Sequence, residues 1–255
     1  MFREFKTVWL LVLIAGMGTS VPPLMLLLGG IVGSTMAPSP RWATMPIALM
    51  IIGTACAVLP VTRCMARLGR RMTFFIFFGI GALACLLAGE ALARSDFVLF
   101  CLAGALLGAT NAALQQARFA AMESVPLAQA ATAASIIMCS GLIAAFLGPE
   151  MAVWGRSLSD VEYRGSFWLG ACCFAIAGGL LALYKPKARP PVSRSDKPAR
   201  TIAQMLHSRT LVVAIAAGAI AFIVMTFVMT ATPISMHLHH GHSLEDTKFV
   251  IQSHI

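Results

Sequence analysis

Apolar runs of about 20 residues recur from one end of this chain to the other, and that recurrence restricts it to a membrane fold. Each run is long enough to cross a hydrocarbon core of about 30 Å as a helix, whose backbone N–H and C=O groups find partners inside the segment. Composition agrees. Charged residues make up 11% of the chain and hydrophobic ones 58%, with a mean hydropathy of +0.83, whereas soluble domains carry about 25% charged residues. The runs predict spans at 8–31, 45–61, 72–92, 97–117, 130–153, 165–184 and 211–230, and an eighth beginning near Lys248. The expected fold class is an all-α membrane protein embedded in a lipid bilayer.

The formal charge of +9 does not point to nucleic acid, because the basic residues form short patches between apolar runs and no solvated basic domain exists to hold a phosphate backbone. The patches read as topology. Arg3, Lys6, Arg63, Arg67, Arg70, Arg71, Arg118, Lys185, Lys187, Arg189, Arg194, Lys197, Arg200 and Arg209 fall on one side of the alternating spans, and Arg41, Arg94, Arg156, Arg164 and Lys248 on the other. The positive-inside rule therefore puts the N-terminus in the cytoplasm. Arg3 and Lys6 ahead of the first run resemble the start of a signal peptide, but that run is longer than the usual h-region and lacks an A-x-A site, so an uncleaved first helix is expected. Cys56, Cys64, Cys85, Cys101, Cys139, Cys172 and Cys173 lie mostly in or beside apolar runs and show neither a disulfide framework nor zinc spacing.

The longest polar stretch, rich in proline and like charges, divides the chain. It predicts an N-terminal six-helix bundle (1–184), a cytoplasmic basic linker (185–208) and an incomplete start of a second bundle (209–255). Between the second and third spans stands Arg67-Leu68-Gly69-Arg70-Arg71, and the fifth span carries Gly148-Pro149-Glu150. The first resembles the end of the loop motif G-x-x-x-D-R-x-G-R-R of major facilitator transporters, with Thr62 and Ala66 where the motif has its first glycine and its aspartate. The second is similar to the G-P of their drug antiporters, with Ala152 and Val153 in place of the paired glycines that follow. Gly104 stands where proton-coupled exporters carry an arginine within the fourth span. The resemblance implies the major facilitator fold, two six-span halves related by a pseudo-two-fold axis. It also implies that the chain, ending at Ile255 within the second half, is a fragment and inactive alone, and that the full-length protein is a monomer. The structural rival is a seven-span receptor.

Further motifs narrow the resemblance. Arg118-Phe-Ala-Ala, Met225-Thr-Phe-Val-Met229-Thr-Ala-Thr-Pro233, Gly241-His242-Ser243 and Phe249-Val-Ile-Gln-Ser-His254 are similar to the CcoA-type copper importers, with riboflavin carriers as close relatives. That likeness implies metal ligands at Met225, Met229 and His254. Methionines four apart share a helix face, so two thioethers can converge on one ion, and soft sulfur selects Cu(I). Copper would then be cargo, with no resident cofactor. The alternative use of the two methionines is packing.

Met236 and four imidazoles, His237, His239, His240 and His242, follow within seven residues and form a candidate capture loop on the non-cytoplasmic side; the alternative is an ordinary polar turn. Asn111 and Gln115 are candidate cavity-lining residues or interhelical hydrogen-bond formers, with Gln116 and Arg118 at the cytoplasmic end of the same span. Glu90, Glu123 and Glu150 near span ends are expected to keep their charge by solvation. Pro22, Pro23, Gly79 and Gly81 suit bends or close helix approach. No nucleophile arrangement, phosphate loop or carboxylate pair of an enzyme is present. Three functions remain: an importer of copper by alternating access, a carrier of a small organic compound such as a flavin or drug, and a metal-binding membrane fragment using only the histidine loop.

Overall fold

The computed structural model describes residues 5–185, 204 and 207–254, all helices and tight connections; no strand occurs among the described residues. Most of the linker expected at 185–208 lies outside them. Lys6–Thr19 (α1) and Val21–Met36 (α2) form one apolar span interrupted at Ser20. The cause is Pro22-Pro23: Pro23 has no N–H for the carbonyl of Thr19, four residues back. The hydroxyls of Thr19 and Ser20 turn inward along the helix, donating to the carbonyls of Ala15 and Gly16, both at 2.6 Å.

The second and third spans follow one another in Met45–Arg94 (α3) as two helices that meet at a kink, where the sequence suggested two helices and a loop. Only Gly69 departs from helical geometry, with φ 80° and ψ 164°, a region essentially reserved for glycine. One residue therefore does the work of a loop. Thr73 donates to the Gly69 carbonyl at 2.8 Å and caps the far side of the bend. Ser95, left-handed at φ 52°, ends α3, and Asp96 caps Phe97–Leu114 (α4) by accepting from the Leu99 amide at 3.0 Å. Ala117–Glu123 (α5) continues the fourth span after a break at Gln115-Gln116. Ala130–Gly155 (α6) and Arg164–Leu180 (α7) complete the first group.

After the linker, Arg209–Pro233 (α8) carries on as a π-helical turn, Ile234–His239, so the span predicted to stop at 230 runs nine residues further. The last helix, Leu244–His254 (α9), starts before the predicted Lys248. A capping box explains its start: the Asp246 amide donates to the Ser243 hydroxyl at 3.0 Å, and the Ser243 amide donates back to the Asp246 carboxylate at 3.2 Å.

The core lies among α1, α2, α3, α4, α6 and α7. Phe74 stacks on Phe78, Phe174 lies tilted against Phe78, and Phe100 meets Phe167 edge-on at 5.7 Å. The first half of α3 and α4 approach backbone to backbone, because a Cβ at Gly104 would run into the Pro46 carbonyl and one at Gly108 into that of Met50. This accounts for Gly104: an arginine there has no room. Gly81 likewise leaves space for the Phe174 ring, whereas nothing lies near Gly79 among the described residues, so of the two glycines Gly81 is the one that serves close approach there. Helix-to-helix hydrogen bonds come from Thr54 to the Gly108 carbonyl (3.0 Å), Thr110 to that of Phe77 (3.1 Å) and Ser166 to that of Ala152 (3.1 Å).

Candidate functional site

Both interrupted spans border the same space. A cavity of about 350 Å³ is lined by Ala15 and Thr19 of α1, by Leu114, Gln115, Ala117 and Arg118 around the α4–α5 break, and by Ile137, Met138, Ser140 and Gly141 of α6. Irregular backbone at membrane depth is tolerated where it lines a cavity, and transporter sites are commonly built on such discontinuous helices. The wall presents an amide, two hydroxyls and a guanidinium against an apolar background. Arg118 is exposed, with its guanidinium 4.9 Å from the centroid of the Phe119 ring. Of the predicted pair, Gln115 is in the wall and Asn111 is not; neither bonds across helices among the described residues. Thr19, Met138 and Ser140 were not anticipated, although Pro22-Pro23 beside Thr19 was a usable signal.

The seventh-span methionines share one continuous helix but not one environment. Met229 is 5% exposed and packs into the core, while Met225 is 46% exposed. His254 falls within α9; its side chain lies outside the described residues. The loop histidines are tied to backbone. His240 Nδ1–H donates to the Ser235 carbonyl at 2.8 Å and His237 Nδ1–H to the His242 carbonyl at 2.9 Å. A carbonyl only accepts, so Nδ1 carries a proton in both rings. His240 and His242 stack at 6.5 Å, and His239 is exposed. Among the described residues no three His, Cys, Asp or Glu side chains gather as a metal site.

The glutamates are held by ion pairs and not by solvent alone. Arg70 grips Glu123 through two N–H groups at 2.6 and 2.7 Å, supplying across the α3 bend the acidic partner that Ala66 cannot. Glu90 meets Arg94 at 2.8 Å and Arg164 at 3.1 Å. Glu150 accepts from Lys248 at 2.8 Å and from Gln252 at 3.3 Å, which ties α6 to α9. Asp246, in the polar first turn of α9, is held below the usual carboxylate range by hydrogen bonds from Ser243.

Contacts between α8–α9 and the first group concentrate at the arginine-poor end. Ile234 sits against Gly30 of α2, Pro233 is buried, and α9 lies on α6. Residues 209–225, the other end of α8, are exposed throughout.

Residues 8–251 match the Major Facilitator Superfamily. The chain belongs to this family. It is 32% identical over 252 residues to the riboflavin transporter RfnT of Brucella anthropi, covering 98% of this chain and 63% of that protein. It is 31% identical over 244 residues to the uncharacterized MFS-type transporter YdeG of Bacillus subtilis, covering 89% and 56%, and 29% identical over 259 residues to YddS of the same organism, described in the same words, covering 94% and 57%. The chain thus spans about three fifths of the length of the curated relatives it matches. No solved structure matches it. The family is one of membrane transporters, not of enzymes.

Proposed function

We propose that the full-length protein carries a flavin-like organic compound across a bacterial cytoplasmic membrane by alternating access, N-terminus inside and as a monomer, with 1–184 as one bundle, 185–208 as linker and 209–255 as the start of the next. The observation that carries this reading is the 32% identity with a riboflavin transporter over 98% of the chain. The cavity chemistry supports it. A flavin offers a flat apolar ring with carbonyl and imide edges and a polyol tail. Arg118 and Gln115 supply donors for ring carbonyls, Thr19 and Ser140 supply hydroxyl partners, and Leu114, Ile137 and Met138 supply apolar contact. With the two groups touching at the arginine-poor end, the proposed orientation makes this an arrangement open toward the cytoplasm.

The test is uptake of radiolabelled riboflavin by flavin-auxotrophic cells expressing the full-length protein. Gln115→Leu and Arg118→Gln are expected to weaken uptake several-fold at equal expression. No uptake above vector background by the unaltered protein refutes the flavin reading. A copper importer is the second reading, favoured by the continuity of α8 through Met225 and Met229, with His254 as the third ligand and the histidine loop as capture site. Radioactive copper uptake that falls in Met225→Leu and Met229→Leu supports it, and unchanged uptake in both removes those ligands.

A further inference from the structure

On the outer surface of the first group, away from the α1–α4–α6 cavity, α3 and α7 diverge at the arginine-rich end and leave a groove of about 430 Å³, lined by Leu68, Arg71, Met72, Phe75, Gly178 and Ala182 with Leu181 at its floor. Three features set it apart from ordinary lipid-facing surface. It is a notch: among the described residues nothing lies within 4 Å of where a Cβ would stand at Gly178 or Gly179, nor at Gly79 one turn beyond Phe75 on α3. Its walls are apolar and face outward, with Leu68, Met72 and Phe75 53%, 51% and 58% exposed. It has one polar end, Arg71, which is exposed and donates one Nη2–H to the Ala182 carbonyl at 3.1 Å.

Among the described residues Arg71 has no carboxylate partner, and no acidic side chain lines the groove. The nearby Glu123 is engaged by Arg70. A guanidinium has five N–H donors in a fork suited to phosphate oxygens, so most of that capacity stays open at the level of lipid headgroups. Arg67 and Lys185, exposed at the same end, add positive potential. A slot with a cation at the headgroup level and an apolar cleft running toward the bilayer centre is complementary to one molecule class, a phospholipid with an acidic headgroup.

We propose that this groove is a binding site for an anionic phospholipid, its phosphate on Arg71 and one acyl chain between Phe75 and Gly178. The bound lipid fills the wedge between α3 and α7 and shields the carbonyl of Ala182, where α7 gives way to turns. The proposal is independent of the cargo and of which way the chain faces.

The test uses the whole chain in nanodiscs of equal parts phosphatidylglycerol and phosphatidylcholine, followed by native mass spectrometry of the lipids that stay bound. The expected result is a several-fold excess of retained phosphatidylglycerol, lost in Arg71→Gln and kept in Arg63→Gln, which removes a charge at the same end outside the groove. Gly178→Leu fills the cleft without altering charge and is expected to lower retention of phosphatidylglycerol at an unchanged melting temperature, so the idea stays testable if Arg71→Gln folds poorly. Retention in the supplied ratio, equal losses in Arg63→Gln and Arg71→Gln, or full retention in Gly178→Leu would each overturn it, as would displacement of the lipid by inorganic phosphate alone.

Discussion

The contact between Glu150 and Lys248 makes a quantitative claim about how α9 is held. The charged atoms are 2.8 Å apart, with Lys248 18% and Glu150 24% exposed. At an effective dielectric of about 20 the Coulomb attraction is about 6 kcal/mol, most of it offset by desolvation. Breaking fully exposed pairs costs about 0–1 kcal/mol and breaking fully buried ones about 3–5. At this exposure a loss of about 2 kcal/mol is expected, roughly thirtyfold in the equilibrium between docked and released α9. Lys248→Met should cost more than Glu150→Gln, because it leaves a carboxylate with Gln252, at 3.3 Å, as its remaining donor among the described residues, whereas a glutamine at 150 still offers the Lys248 ammonium a carbonyl oxygen as hydrogen-bond acceptor. Hydrogen exchange of the 248–252 amides reads the release directly. The double variant should be less destabilised than the sum of the singles, and exchanging the residues, Glu150→Lys with Lys248→Glu, should recover part of the protection. Unchanged exchange in both single variants, or strictly additive losses, would refute the claim that this pair docks α9 on α6.

Gly69→Ala should lower the melting temperature, with a cost of about 1–3 kcal/mol, since φ 80° with ψ 164° strains any residue with a Cβ; thermal unfolding in detergent checks it. Gly104→Leu should destabilise by about 3 kcal/mol or more, because the side chain meets the backbone of α3 and not a movable side-chain tip; an unaltered denaturation midpoint would contradict the close approach. Ser243→Ala should fray the first turn of α9 by about 1 kcal/mol, read as faster exchange at residues 244–247, while Ser243→Asp should keep most of the protection.

Hydropathy exposed the spans because a helix in lipid must be apolar for its whole crossing, and alternating basic segments gave the loops. Neither signal resolves how helices end. The loop-free junction of the second and third spans hinged on one glycine whose φ no pattern reveals, and the extension of α8 required a π-helical turn after Pro233. The Ser243…Asp246 spacing was a readable helix start, yet the low apolar content of residues 244–247 hid it. At the cavity, Gln115 stood out as a polar residue inside an apolar run. Thr19 and Ser140 did not, because hydroxyls are common in spans and only the convergence of three helices gives them a shared wall. The glutamates were legible as charges but their partners were not: Arg70 and Glu123 are 53 residues apart, and Lys248 and Glu150 are 98 apart.

The glycine bend in α3 also bears on how such a chain is made. Two apolar lengths are joined there by one residue, with no loop between them. Arg63, Arg67, Arg70 and Arg71 crowd its tip, and dragging each across the bilayer costs about 2.5–3.5 kcal/mol on insertion scales, roughly 10 kcal/mol or more for the four. Once that tip has been left on one side, the hairpin cannot turn over, and every later span is threaded relative to it.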